Sequence, residues 1–269
     1  MLTWMRQLDK LLRGDATQLS SLTSGKIEFP AKGVLISAIV LAAVYGVCMG
    51  LFAVLRTGGS ADGWMQMLAS MVKLPLLFIL TLVVTLPSLY VFNALVGSRL
   101  TFVSVVHLLI ASMAVTVAVL ASLGPIIAFF SLSTTSHPFM VLLNVAAAAI
   151  GGILGMKFLF HTLHRLVFSR EQKELVPPPV FELPEATEAE PSQPDRKLAA
   201  LEPGGLAQST DAKSVFRVWV IVFSLVGAQM SWVLRPFVGS PTLEFAWFRA
   251  REDNFFIAVF EMIRTVLGG

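Results

Sequence analysis

The sequence predicts an all-α, polytopic membrane protein: a transmembrane helical bundle of about five spans, with amphipathic interfacial helices at both ends. Three observations carry that expectation. Of the 269 residues, 55% are hydrophobic and only 14% are charged, where an ordinary globular domain has about a quarter charged. Mean hydropathy is +0.76. The apolar residues also arrive in blocks of about 20 or more, enough for a helix rising about 1.5 Å per residue to cross a hydrocarbon core of about 30 Å.

Residues 1–32 read as a cytosolic amphipathic segment. Met1, Trp4, Met5, Leu8, Leu11 and Leu12 recur at helical spacing, with Arg6, Asp9, Lys10 and Arg13 between them, and Gly14 ends the pattern. The segment is not expected to be a signal peptide, because the first apolar block starts near Gly33, is too long for an h-region and has no small-residue cleavage site behind it.

Residues 33–163 form the expected four-span bundle, with spans at Gly33–Leu55, Leu74–Val96, Thr101–Leu123 and Pro138–Leu163. Pro75 and Pro138 fall at first-turn positions, where a missing N–H costs little, while Pro87 sits inside the second span and bends it or relaxes a turn. Gly124-Pro125 leaves two readings of Ile126–Leu132: a continuation of span three past a kink, or an interfacial segment.

Residues 164–213 form a polar loop. Glu171–Ala212 holds seven of the 14 prolines and nine of the 17 acidic residues, including Pro177-Pro178-Pro179. Such a composition buries too little apolar surface to offset the entropy of ordering, so a disordered or polyproline-like cytosolic tether is expected. A docking site for a soluble partner is the sharper alternative.

The fifth span is expected within residues 214–235, at Ser214–Leu234. Residues 236–269 follow as an outer-face aromatic segment and an amphipathic helix at Phe255–Leu267, in which Asn254, Ala258, Glu261 and Thr265 share one face.

Orientation follows from basic residues near the spans. Arg6, Lys10, Arg13, Lys26 and Lys32 precede span one, Arg99 lies in the turn after span two, and Arg165, Arg170, Lys173, Arg196, Lys197 and Lys213 follow span four. The connection between spans three and four has none, which leaves Arg56, Lys73 (in the connection before span two) and the four arginines of the C-terminal tail outside. These expectations place the chain in a bacterial inner membrane with the N-terminus cytoplasmic and the C-terminus outside. Net charge is +3, but the cations flank apolar segments and form no nucleic-acid stripe.

The candidate sites are few. No Asp or Glu occurs between Gly63 and Arg170 or inside spans one and five, so the usual intramembrane proton relays and cation ligands are missing. Asn93, His107 and Asn144 are the polar intramembrane candidates. Asn93 and His107 face each other in depth across a tight turn, and an interhelical hydrogen bond or a functional histidine are the two readings. Lys157, His161, His164 and Arg165 cluster at the inner end of span four. Snorkelling to anionic head groups accounts for them, whereas zinc normally takes three or four ligands.

Ala42, Gly46 and Gly50 in span one, and Ala147, Gly151 and Gly155 in span four, make small-residue ridges for close helix packing. Contact between those two spans is one expectation, and a homo-oligomer or a larger membrane-protein complex across a ridge is another. Cys48 is the only cysteine, which excludes an intramolecular disulfide. With no nucleophile–base pair, nucleotide fingerprint or metal set, no catalytic residue, metal or cofactor is expected.

Within Val72–Phe102 the string KLPLLFILTLVVTLPSLYVFNALVGSRLTF, with its Lys-x-Pro opening, a second Pro before the Tyr and Gly-Ser-Arg at the turn, resembles bacterial relatives of the Yip (Ypt-interacting protein) superfamily. The resemblance covers about the first four spans. It implies a five-span bundle with a cytosolic N-terminus and a non-catalytic role in membrane organisation. The chain departs in lacking the Asp/Glu-Leu-Tyr-Gly-Pro-like motif typical of the superfamily's eukaryotic members and in carrying the long acidic loop before span five.

The expectation from sequence is therefore a non-enzymatic membrane protein that organises or recruits partners. The lipid bilayer is its first partner, and the 171–212 loop is the route to a cytosolic one. A permease or channel subunit with a pore near Asn93, His107 and Asn144 is the alternative.

Overall fold

A computed structural model describes residues 31–95, 102–174, 220–240, 243–249 and 254–268. The expected N-terminal helix Met1–Arg13 and nearly all of the Pro/Glu-rich loop lie outside these residues. The described chain is helical: α1 (Ala31–Arg56), α2 (Ala61–Leu95), α3 (Phe102–Ser133), α4 (His137–Glu174), α5 (Val220–Val233) and α6 (Phe255–Gly268). Four of these contain segments long and apolar enough to cross a membrane: Ala31–Arg56, Ala61–Ser88, Val106–Ser133 and His137–Thr162. Large apolar side chains also point outward along them, among them Val44, Trp64, Val72, Val83, Phe129 and Ile153. A soluble surface rarely tolerates such a belt, and lipid does. The chain is an integral membrane protein.

Local chemistry sets the helix ends. Gly58 and Gly59 adopt φ of 63° and 77°, the left-handed region that ends a helix without a Cβ penalty, and Gly59 N donates to Val54 O at 2.9 Å. Ser60 then caps α2, its hydroxyl accepting from Gly63 N at 3.3 Å, with Asp62 in the first turn. Ser136 plays the same part for α4 through Phe139 N at 3.4 Å, with Pro138 in the first turn, where its missing N–H is harmless.

Helix α1 lies at the centre, packed on α2 and α3, and α3 in turn packs on α4. Its inner stripe of Val34, Ala38, Ala42, Tyr45, Met49 and Phe52 is buried among Ile110, Met113, Ala114, Val117, Leu120 and Met140. Helices α1 and α3 finish at the same end of the bundle, here termed distal. There Arg56, the last residue of α1, donates to the Leu132 carbonyl at 3.5 Å and to the Thr134 carbonyl. One cation thus satisfies carbonyls left open by the end of α3.

Several boundaries differ from the sequence reading. Helix α2 begins at Ala61, not near Leu74, so Pro75 is an interior proline and Lys73 belongs to the helix rather than to a connection. Of the two readings of Ile126–Leu132, the helix takes the continuation: α3 runs on through Gly124-Pro125 to Ser133. Helix α4 runs to Glu174, past Leu163.

Both small-residue ridges are occupied, but by sequence neighbours and not by each other. A Cβ on Gly46 would stand 2.5 Å from the Ser70 carbonyl oxygen, and one on Gly50 would stand 2.5 Å from Met67 Cα, so the Ala42–Gly46–Gly50 ridge receives α2. The ridge Ala147–Gly151–Gly155 receives α3 at Thr116 and Leu120.

Helix α5 enters beside the opposite, proximal end, where Val220 and Phe223 pack on Leu108, Leu109 and Leu159. It leads to Leu234 and Val238, which are buried at the distal end. Helix α6 is capped by Asn254, whose Oδ1 accepts from Phe256 N and Ile257 N, both at 3.0 Å. It rests on α4 through the side that buries Ala258.

Candidate functional site

Gln66, Ser70 and Lys73 recur at i, i+4 and i+7 on α2, so they stack on one helix face. All three are buried, at 4%, 0% and 1% exposure, while Trp64, Met65, Leu68 and Val72 of the same helix face outward. Lys73 stands about 18 Å along α2 from its start at helical rise. A polar stripe at that depth is costly unless every group finds a partner.

The partners come from the chain after α5. Gln66 Nε2 donates to the Pro236 carbonyl at 3.1 Å and to that of Phe237 at 3.3 Å. The Ser70 hydroxyl contacts the Phe237 carbonyl at 2.5 Å. Lys73 Nζ donates to the Pro236 carbonyl at 3.1 Å and to the Trp247 carbonyl. From the start of α4, His137 Nε2 lies 3.3 Å from the Val238 carbonyl. Non-helical backbone at membrane depth is stable only where protein groups replace the missing water, and these four side chains replace it.

Aromatic rings close the site. Lys73 Nζ lies 5.2 Å from the Phe248 ring centroid and 6.0 Å from that of Trp247, within reach of the attraction between a cation and a ring face. The segment approaches closely because residue 239 is glycine. A Cβ there would meet Gln66 Cγ at 2.6 Å and Ala53 Cβ at 2.8 Å. The aromatic stretch beginning at Pro236 is therefore not wholly an outer-surface element. Pro236, Val238 and Gly239 are buried, whereas Trp247 and Phe248 are exposed.

The polar residues singled out from the sequence do not converge. Asn144 is buried, and its Oδ1 accepts from the Tyr45 hydroxyl at 3.0 Å while its Nδ2 donates to the Met140 carbonyl at 2.8 Å. His107 is half-buried near the start of α3. Ser112 Oγ reaches the Gly155 carbonyl at 2.9 Å, and Asn144 and His107 fall on opposite sides of that contact, roughly 24 Å apart along the bundle at helical rise. Asn93 lies in α2, with its side chain outside the described ones. Lys157 and His161 are exposed on α4, and the side chains of His164 and Arg165 lie outside the described set. Among the described residues, no three His, Cys, Asp or Glu gather in one place.

Gln66, Ser70 and Lys73 escaped the sequence reading, as did Tyr45. Their signal was there: three polar residues on one face of an otherwise apolar stretch, next to the helix that carries a glycine ridge. The fold and this site define a class, a helical-bundle integral membrane protein with a backbone segment held inside the bundle by buried side-chain donors. No family model, curated protein or solved structure matches the chain.

Proposed function

We propose that the chain is a non-enzymatic, five-span protein of a bacterial inner membrane that organises or recruits partners, with its polar loop as the recruiting element. The observation that supports this reading is the internal commitment of most of the described polar groups in the bundle's interior, the buried Thr81 hydroxyl being an exception. Asn144 is used by Tyr45, while Gln66, Ser70, Lys73 and His137 are used by the segment after α5. Ser37, Thr85 and Ser131 turn back on the carbonyls of their own helices. An interior satisfied in this way suits a packed anchor better than a conduit. The separation of His107 from Asn144 likewise counts against a pore built on them.

The path of α5 supports the fifth crossing. It starts against Leu108 and Leu159 at the proximal end and delivers Val238 to the distal end. The loop before it and the N-terminus then share the proximal, cytoplasmic side, in agreement with the distribution of Lys and Arg.

The test has two arms. Deleting residues 175–212, which spares α4, should abolish crosslinking to cytosolic protein and leave membrane insertion intact. Purified full-length protein in liposomes should pass no ions or small solutes. Measurable flux, or crosslinking unchanged by the deletion, would sink the reading.

A further inference from the structure

Lys73 is fully buried in an apolar helix, and its surroundings have the chemistry of a bound cation's shell. Two backbone carbonyls, of Pro236 and Trp247, take its ammonium hydrogens. Two ring faces, of Trp247 and Phe248, cover it. No Asp or Glu lies in the sequence from Gly63 to Arg170 to serve as counter-ion on the helices around it. Carbonyl oxygens together with aromatic faces are what proteins present to weakly hydrated monovalent and alkylammonium cations.

The recognising groups and the cation are 163 and 174 residues apart in the chain, so the shell belongs to one element and the charge to another. All the bonds described from α2 to the segment run from a side-chain donor to a backbone carbonyl. The bundle therefore holds the segment through its main chain, and Lys73 is the one charge it contributes there, held by carbonyls and rings in spite of the like charge of Arg249 in the segment.

We propose that the Pro236 and Trp247 carbonyls, with the Trp247 and Phe248 rings, form a primary-ammonium site that the chain fills with its own Lys73. The lysine acts as a tethered cation that locks residues 235–240 and 243–249 onto α2, with Gly239 seated between Gln66 of α2 and Ala53 of α1. When the lysine side chain is removed, the same site takes a free small alkylammonium ion.

The experiment uses the full-length protein in detergent micelles. Lys73→Ala should lower the melting temperature and make the segment cleavable by chymotrypsin, which reads Phe237, Phe245 and Trp247. Methylammonium chloride should then restore most of the lost melting temperature and the protection of the segment. The gain should rise with the logarithm of concentration, as expected for a ligand bound only by the folded state. N-methyl-D-glucamine chloride at equal ionic strength, too bulky for the site, should restore neither, and wild type should respond to neither salt.

Lys73→Met fills the same volume without a charge. It should lose the protection and show no response to methylammonium, and this variant carries the test should Lys73→Ala fail to fold. Protection in Lys73→Met equal to that of wild type would overturn the proposal. So would a Lys73→Ala protein that folds and responds equally to both salts or to neither.

Discussion

The Tyr45 hydroxyl donates to Asn144 Oδ1 across 3.0 Å, joining the middle of α1 to α4 through the packed interior. Both side chains are buried, at 2% and 6% exposure. Removing one partner strands the other in a region without water, which costs about 1–3 kcal/mol. Tyr45→Phe and Asn144→Leu should each lower stability by about that amount. The double variant should lose less than the sum, because it leaves no orphaned group. Thermal unfolding of the four proteins in detergent reads the coupling, and strict additivity would remove this bond from the account.

Glycine positions that look alike in sequence should differ sharply in tolerance. Gly46→Ala places a methyl 2.5 Å from the Ser70 carbonyl oxygen and 2.8 Å from Met71 Cα, both main-chain atoms that cannot rotate away. Gly152→Ala meets nothing within 4 Å. Overpacking of this kind costs about 1–3 kcal/mol, so Gly46→Ala should be destabilised on that scale. Gly152→Ala should be neutral or slightly stabilised by its better helix propensity. Melting temperatures of the two variants, measured side by side, check the assignment of α2 to the Gly46 ridge.

Much of the bundle was legible because the membrane imposes its own arithmetic. Apolar runs long enough to cross gave α1, α3 and α4 nearly to the residue at their starts, and the small-residue spacing marked the two close-packed faces. The errors share a physical cause, which is that polar residues inside a helix were read locally. Gln66, Ser70 and Lys73 made residues 61–73 look like a connection, because the carbonyls that neutralise them lie more than 160 residues away in the chain. The same remoteness hid the burial of Pro236 and Val238 in a stretch whose composition reads as interface. Partnering of the ridges failed for a simpler reason, since spacing identifies a face and does not name the helix that fills it.

The close seat of the segment after α5 should depend on residue 239. In Gly239→Ala the added methyl would stand 2.6 Å from Gln66 Cγ and 2.8 Å from Ala53 Cβ. Gln66 can swing aside, but only by giving up its bonds to the Pro236 and Phe237 carbonyls, while Ala53 is fixed on α1. Gly239→Ala should therefore free the segment, seen as faster chymotryptic cleavage at Phe237, with the helical circular dichroism unchanged. Gln66→Leu removes the same bonds without a clash and should give a weaker form of the same phenotype. Cleavage of Gly239→Ala no faster than wild type would show that the segment is not held there.

Topology can be read with single cysteines, since the chain has one of its own. Cys48 is half-buried on α1 and packs near Gly124, so Cys48→Ala makes only a small internal change and provides a silent background. Thr135 is exposed in the turn between α3 and α4 at the distal end, and a Cβ on Gly268 near the end of α6 meets nothing within 4 Å. If α5 crosses the membrane, Thr135→Cys and Gly268→Cys share a side, and Ser192→Cys in the polar loop lies on the other. A membrane-impermeant maleimide added to intact cells should label the first two at once, and Ser192→Cys only after permeabilisation. Labelling of Ser192→Cys and Gly268→Cys from the same side would mean that α5 does not cross.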